Sequence, residues 1–301
     1  FGEQLFGGDT KIGRAIVHED ALEPDDVSEL LTYDRASAIV DEASSVAVGI
    51  CYCRHKASHL DHACDAPQRN CLSLNRGAEY VIRHHHAERI EKAEAQDLLI
   101  EAREHGLVHI ADNVKRRVTY ICNCCGCCCG QLQAINRYGM EGAVKTSAYM
   151  AQIQADKCTG CGRCSRRCPV QAIEIHPLPP HIKRKARMYS AVDERICLGC
   201  GVCKPACKKD ALHMRARPER VITPEATLER MITMALERDR LHHVLFEEID
   251  GPHMVVLNRI MGAIMRLPPV KRALVSEKLK SRFVAYMASG YRGTSDAART
   301  V

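Results

Sequence analysis

The chain has no tryptophan, and Phe and Tyr together make up only 4% of its 301 residues. Proteins that bind single-stranded nucleic acid stack successive bases on aromatic side chains. The scarcity of such side chains argues against that class, although 43 Lys and Arg against 37 Asp and Glu residues give a formal net charge of +6. We therefore predict no nucleic-acid partner, and an acidic protein or an anionic surface remains compatible with the charge.

Long apolar runs and nucleotide-binding motifs are missing as well. No stretch of the sequence approaches the roughly 18 uncharged apolar residues of a membrane span. The chain has neither GxGxxG after a predicted strand nor GxxxxGK[ST], so hydride or phosphoryl chemistry would belong to a partner. The first residues, FGEQLFGGDTKIGR, lack the charged and then apolar pattern of a secretion signal. We predict a cytoplasmic protein.

Cysteine, in contrast, is abundant, with 18 residues. A chain of this length can bury a core without the disulfides that small secreted domains need. Cysteines in such a setting are more typical of metal sites or catalysis. We therefore predict reduced, metal-bound cysteines.

Eight of these cysteines form an internal repeat. CTGCGRCSRRCPVQAI begins at Cys158 and CLGCGVCKPACKKDAL begins at Cys197, and both contain C-x2-C-x2-C-x3-C. This run, followed in the first copy by Pro169, is typical of 4Fe-4S ligation, whereas zinc sites usually take two CxxC pairs. Glycines between the cysteines allow the backbone to fold back and point N–H groups at sulfur.

The repeat resembles the bacterial dicluster ferredoxin family over about 60 residues. The resemblance implies an electron-transfer domain with two 4Fe-4S clusters, one held by Cys158, Cys161, Cys164 and Cys207 and the other by Cys197, Cys200, Cys203 and Cys168. The second motif departs from the family pattern, since Lys208 follows Cys207 where proline is usual.

The other ten cysteines lie upstream, in CYCRHK, at two single positions and in the stretch ICNCCGCCCG (121–130). Disulfides between adjacent cysteines are strained, and crowded thiolates repel unless metal ions neutralise them. We predict that they bind metal, with one or two further iron-sulfur clusters. Neighbours such as Cys124 and Cys125 face opposite ways along an extended chain and can serve different clusters. The predicted ligands are Cys51, Cys53, Cys64, Cys71, Cys122, Cys124, Cys125, Cys127, Cys128 and Cys129.

The order CxCR, two single cysteines and CNCCxCCC resembles larger ferredoxin-type proteins in which a cysteine-rich module precedes a dicluster domain. That resemblance spans residues 35–217 and implies ligation rather than a reaction. The CC and CCG density also resembles the catalytic subunit of heterodisulfide reductase, which holds non-cubane clusters, although the long spacings of that subunit are missing. Three alternatives stay open: spare thiols, a single site of the first four upstream cysteines, or zinc bound by cysteines with His55, His59 and His62.

The predicted fold class is α+β, with a ferredoxin-like dicluster domain, an upstream α/β module and a helical C-terminal tail. The predicted segments are a helical 1–50, a cysteine-rich 51–146, a dicluster domain 147–218 and a helical tail 219–301. Apolar spacing predicts helices over 34–43, before Gly106 and after Pro224, and a strand at 46–50.

Positive charge is concentrated around the repeat. Residues 157–220 contain fifteen Lys or Arg and five Asp or Glu, including the insert HPLPPHIKRKARMYS. We expect an exposed basic loop that attracts an acidic redox partner and raises the cluster potentials. An amphipathic helix predicted over 254–267 suits a core or an interface, with peripheral membrane contact through 254–284 as the alternative.

These observations predict an iron-sulfur protein, or a subunit of an oxidoreductase complex, that relays single electrons between redox partner proteins such as a flavoprotein or a larger complex. The competing hypothesis is an enzyme in which an unusual upstream cluster reduces a disulfide or sulfur substrate, with His55 or His59 supplying protons. Nucleic-acid binding with structural clusters ranks last.

Overall fold

The computed structural model describes residues 6–179, 187–219, 221–238 and 240. Six strands form one sheet in the order β1-β5-β6-β3-β2-β4, and every neighbouring pair is antiparallel. The strands are β1 (Gly13–Ile16), β2 (Val46–Ile50), β3 (Arg69–Leu74), β4 (Glu88–Arg89), β5 (Val108–Asp112) and β6 (Tyr120–Cys124).

Helices cover one face of this sheet. A buried core lies between the sheet and two of these helices, α2 (Ala36–Glu42) and α5 (Lys92–Glu104). It contains Ile39 and Val40 of α2, Leu99 of α5, Leu72 of β3 and Ile121 of β6. Apolar side chains at spacings of three and four place one face of each helix against the sheet. The helices of this region are α1 (Pro24–Glu29), α2 (Ala36–Glu42), α3 (Tyr52–Ser58), α4 (Arg76–Arg83), α5 (Lys92–Glu104) and α6 (Gly130–Tyr138).

The cysteine repeat folds into two small antiparallel sheets. β7 (Tyr149–Ile153) pairs with β10 (Leu212–Ala216), and β8 (Ile173–Pro177) pairs with β9 (Met188–Val192). Helix α7 (Arg163–Arg167) leads to the fourth cysteine of the first motif, and a 3-10 turn (Lys204–Ala206) holds the same place in the second. The sequence repeat is therefore also a structural repeat.

The repeat joins the larger sheet through its edge strand. Lys145 N–H donates to Gly13 O (3.0 Å), and Ala15 N–H donates to Lys145 O (2.8 Å). The residues from Ile12 to Thr223 form one compact unit. Because β1 and β2 belong to the same sheet as β3 to β6, the predicted boundary near residue 50 falls inside that sheet.

The described residues before Ile12 and after Thr223 form a second unit. Its helix α8 (Thr227–Glu237) is held by Thr10, whose hydroxyl donates to Glu237 Oε1 (2.7 Å). Ile232 is buried on this helix, whereas the neighbouring Met231 is half exposed. The helix predicted over 254–267 and the membrane contact through 254–284 lie outside the described residues.

The prediction of a mixed helix and sheet protein is confirmed. The predicted helix at 34–43, the strand Val46–Ile50 and the helix before Gly106 appear as α2, β2 and α5. In the described part of the chain, no helix has both the length and the apolar character needed to cross a bilayer.

Candidate metal centres

Tight backbone turns shape the two repeat motifs. Gly199, between Cys197 and Cys200, has φ +69°, and a Cβ at this position would lie 1.9 Å from Tyr149 O. Only glycine combines that backbone conformation with so close an approach. The loop can therefore wrap tightly around whatever its cysteines hold.

Backbone N–H groups point at cysteine sulfurs in a repeated pattern. Ala172 N–H donates to Cys168 Sγ, and Ala211 N–H donates to Cys207 Sγ. In both bonds the N–S distance is 3.3 Å and the donor lies four residues after the cysteine. Ser190 N–H donates to Cys158 Sγ over the same distance. Such bonds stabilise negative charge on sulfur, which a metal-bound thiolate carries.

Four cysteines of the repeat line one apolar cavity: Cys168, Cys197, Cys200 and Cys203. This is the set that the family resemblance assigned to the second cluster. Burial raises the pKa of Cys200 and of Cys203, and the neighbouring thiols raise both further. Without a metal these buried thiols would stay protonated, and bound iron ions would supply the positive charge that their thiolates need.

The other four repeat cysteines, Cys158, Cys161, Cys164 and Cys207, differ in their exposure. Cys158 and Cys164 are buried, whereas Cys161 is exposed. The pKa of Cys161 is lowered chiefly by a hydrogen bond from the backbone of Arg163. Helix α7 contacts the turn Lys204–Ala206, which leads into Cys207. The fold thus brings the fourth cysteine of one motif toward the helix of the other.

Residues 157–211 match the family model of the 4Fe-4S dicluster domain. The match includes all eight cysteines of the repeat. It supports 4Fe-4S binding and an iron-sulfur electron-transfer role for this dicluster domain. No curated protein matches the chain.

Upstream of the dicluster domain, strand alternation sorts the cysteines by face. Ile121 points into the helix-covered core, so Cys122 and Cys124 lie on the opposite face of β6. Cys71, the neighbour of the core residue Leu72, lies on that same face of β3. Three thiols from two adjacent strands therefore meet on one side of the sheet.

Helix starts add further thiols to this face. Cys51 and Cys53 lie at the beginning of α3, and Cys129 directly precedes α6. Neighbouring thiols form a chain of contacts in the order Cys53, Cys129, Cys124, Cys122 and Cys71. Cys51 lies close to Cys71 and Cys122. We call Cys51, Cys53, Cys71, Cys122, Cys124 and Cys129 the six-thiol group.

The remaining upstream cysteines form a separate, tighter set. The sulfur atoms of Cys64, Cys125, Cys127 and Cys128, the four-thiol group, all lie within 4.8 Å of one another. Cys64 comes from the loop before β3, and the others come from the turn between β6 and α6. Cys125 belongs to the four-thiol group, whereas Cys124 belongs to the six-thiol group.

Arg54 lies between the two groups and is fully buried. Its guanidinium donates to Pro67 O, to Asn70 Oδ1 (3.3 Å) and to Asn123 O (3.2 Å). Burial lowers the pKa of Arg54, but Cys51 of one group and Cys125 of the other outweigh burial and raise it. This buried cation would offset the charge of metal-bound thiolates on both sides. Its burial could not be predicted from the sequence, since nothing in CYCRHK marks a buried arginine.

A buried histidine pair borders both the sheet and the dicluster domain. The centres of the His18 and His109 rings lie 4.6 Å apart. The backbone N–H of His18 donates to the backbone oxygen of Cys200 (3.0 Å). Burial is the main reason that the pKa falls to about 4 for His18 and about 3 for His109. Both imidazoles are therefore neutral at pH 7. This pair was not predicted from the sequence either, because His18 and His109 lie far apart in the chain.

A cavity of about 720 Å³ opens beside the four-thiol group. Its lining includes Cys127, His105, Arg137 and Arg166, and it extends to Cys168 of the dicluster domain. Asn136 crosses the same region, because its side-chain amide donates to Gly126 O (3.0 Å) and to Pro169 O (2.9 Å). The four-thiol turn and the dicluster domain are thus hydrogen-bonded to one side chain.

The predicted histidine ligands lie elsewhere. His55 and His59 contact each other on α3 through their Nε2 atoms (3.2 Å), and His62 contacts Leu60 O. None of the three belongs to the four-thiol group.

In the basic insert, residues 180–186 lie outside the described part of the chain, and Arg187 is exposed.

Proposed function

We propose that this chain relays single electrons between redox proteins. In this proposal one 4Fe-4S cluster is bound by Cys158, Cys161, Cys164 and Cys207, and the other by Cys168, Cys197, Cys200 and Cys203. Bound 4Fe-4S clusters supply one-electron transfer. The observation that carries the proposal is the dicluster match over 157–211, supported by the cavity that the second set lines.

The six-thiol group is proposed to hold a further iron-sulfur cluster. Six thiols exceed the four ligands of a single tetrahedral ion. Their contacts form a chain rather than one compact set, because no three of these sulfurs lie within 4.8 Å of one another. Several iron ions would occupy such a site more fully than one. Non-cubane clusters remain compatible with more than four thiolates.

Two contacts favour a relay between the upstream groups and the dicluster domain. Asn136 joins Gly126, between two cysteines of the four-thiol group, to Pro169, which follows Cys168. The backbone N–H of His18 donates to Cys200 O, and the His18 ring lies beside the ring of His109 in the large sheet. Rigid contacts of this kind would fix the separation of the metal centres, as electron transfer requires.

Cys161 is the proposed point of electron exchange with a partner. It is exposed, whereas Cys197, Cys200 and Cys203 are buried. Lys157, in the loop before Cys161, and Arg163, at the start of α7, are also exposed. Positive charge around an exposed cluster attracts an acidic redox protein and speeds its association. A flavoprotein or a larger oxidoreductase complex with an acidic docking surface would suit this site.

Anaerobic purification and potentiometric titration followed by paramagnetic resonance test the relay. We expect signals from two reduced 4Fe-4S clusters in the wild type and a changed signal of one cluster in Cys161→Ser. Exposed Thr159→Ser, in the same loop, serves as the matched control. A wild-type protein without any reducible iron-sulfur signal would refute the function.

The partner hypothesis has its own kinetic test. The rate of electron exchange with an acidic redox protein should fall as salt increases. Salt screens the attraction between exposed charges, and at physiological ionic strength charges more than about 8 Å apart hardly interact. Lys157→Gln with Arg163→Gln should weaken this dependence. A rate that does not change with salt would exclude electrostatic steering.

The large cavity favours a second candidate function, the reduction of a disulfide or another small sulfur substrate. Arg137, Arg166 and Arg167 line it and could bind an anionic substrate, and His105 lies in the same lining. His55 and His59, the proton donors predicted from the sequence, are not among its lining residues. Reduction of a disulfide takes two electrons and two protons and gives two thiols. A change in the resonance spectrum on adding substrate would support this candidate, and an unchanged spectrum would count against it.

A further inference from the structure

The four-thiol group differs from the other cysteine groups in its spacing. Cys127 Sγ and Cys128 Sγ are 3.7 Å apart, and Cys128 Sγ and Cys64 Sγ are 4.0 Å apart. All four sulfurs, including that of Cys125, lie within 4.8 Å of one another. Among the described residues, no other set of three or more Cys, His, Asp or Glu side chains meets this distance.

This spacing fits a single metal ion. With metal–sulfur bonds of about 2.3 Å, a tetrahedral ion holds its four thiolates about 3.8 Å apart. In a four-iron cluster each thiolate binds a different iron ion, so the cluster core separates the sulfurs further. The eight cysteines of the dicluster domain illustrate the difference, because no three of their sulfurs come within 4.8 Å.

Neighbouring residues prepare the four-thiol group for a cation. Arg54 is fully buried and interacts with Cys125 of this group. A divalent ion with four thiolates would carry a net charge of −2, and the buried guanidinium of Arg54 offsets part of that charge at Cys125.

Hydrogen bonds also fix the turn that supplies three of the thiols. Gly126 O accepts from the side-chain amides of Gln133 and Asn136, both on α6. Side chains that hold ligand-bearing segments in place are typical of built metal sites. The fourth thiol, that of Cys64, comes from the loop 59–68, which has no helix or strand of its own.

We propose that Cys64, Cys125, Cys127 and Cys128 bind one tetrahedral metal ion, and not an iron-sulfur cluster. Four thiolates complete the coordination of such an ion, so it has no open position for a substrate. Zinc in this site would fasten the loop 59–68 to the turn before α6, and a single iron ion would do the same and exchange one electron. This inference does not depend on the proposed electron relay.

The test measures zinc, iron and acid-labile sulfide per chain in the full-length protein, purified anaerobically. The variant is Cys64→Ser with Cys128→Ser, and the control is His62→Ser, an exposed residue of the same loop. We expect the double variant to lose about one metal ion per chain with unchanged sulfide, and the control to lose none. Loss of several iron ions with an equal amount of sulfide, or no loss of metal, would overturn the proposal.

A second measurement on the unaltered protein covers a double variant that fails to fold. X-ray absorption at the zinc edge should show four sulfur ligands at about 2.3 Å, or Mössbauer spectra should show one iron ion in a tetrathiolate site apart from any cluster. A protein without stoichiometric zinc and with all its iron in clusters would overturn the proposal. A protein with no sulfide at all would instead refute the electron relay.

Discussion

Arg54→Met removes a buried charge from between two groups of thiols. The side chain is 0% exposed and donates to three acceptors, Pro67 O, Asn70 Oδ1 and Asn123 O. Methionine is similar in length but cannot donate a hydrogen bond. The variant therefore leaves three acceptors without their donor and leaves the thiolates of Cys51 and Cys125 without their cation.

The expected cost follows from these contacts. A buried acceptor that loses its partner costs about 1–3 kcal/mol, and removal of one member of a buried ion pair costs about 3–5 kcal/mol. Because these effects overlap at one side chain, we expect a total of about 3–5 kcal/mol. In a domain of 150–250 residues each kcal/mol lowers the melting temperature by about 2–4 °C, so the drop should be about 6–20 °C.

Anaerobic thermal melting of the metal-loaded protein measures this effect. Arg69→Met is the matched control, since Arg69 is half exposed and pairs with Glu88 and Glu94 at the surface, where ion pairs contribute about 0–1 kcal/mol. Arg54→Lys keeps the charge but not the planar fork and should fall between the two. If Arg54→Met melts within 2 °C of the wild type, on the order of the control's own effect, the assigned role of Arg54 is wrong.

Three further perturbations follow from the geometry of the turns. Gly199→Ala should lower the iron content of the purified protein, because its Cβ would meet Tyr149 O at 1.9 Å, whereas Gly130→Ala, with nothing within 4 Å, should leave it unchanged. Gly126→Ala places a Cβ 2.2 Å from Pro169 O and should speed the loss of cluster colour in air. Asn136→Ala should destabilise the protein by about 1–3 kcal/mol in denaturant unfolding. Equal iron content in Gly199→Ala and Gly130→Ala would contradict the first expectation. An unchanged rate of bleaching in Gly126→Ala would contradict the second, and an unchanged unfolding midpoint in Asn136→Ala would contradict the third.

The local structure could largely be predicted from the sequence. The helix face of Ile39 and Val40 and the stop at Gly106 depend on residues close together in the chain. The repeat was similarly accessible, because ligand spacing within a loop is a local property. Strand β1 (Gly13–Ile16) was harder, since a short strand shows little periodicity and its sheet partner β5 comes from a distant segment.

The division of the ten upstream cysteines was not predictable. It depends on the pairing of β3 with β6, which brings Cys71 to Cys122, and on a loop that brings Cys64 to Cys125. Alternation along an extended chain allows Cys124 and Cys125 to serve different clusters, but it does not predict which cysteines each one joins. Arg54 was missed for the same reason, because an arginine is buried only when distant acceptors and thiolates surround it.

Iron and acid-labile sulfide per chain, measured after anaerobic purification, test the central claim most directly. Two 4Fe-4S clusters in the dicluster domain require about eight iron ions and about eight sulfides per chain, and a cluster in the six-thiol group would add to both. We predict brown protein with at least these amounts. Colourless protein that contains zinc and no labile sulfide would contradict the account.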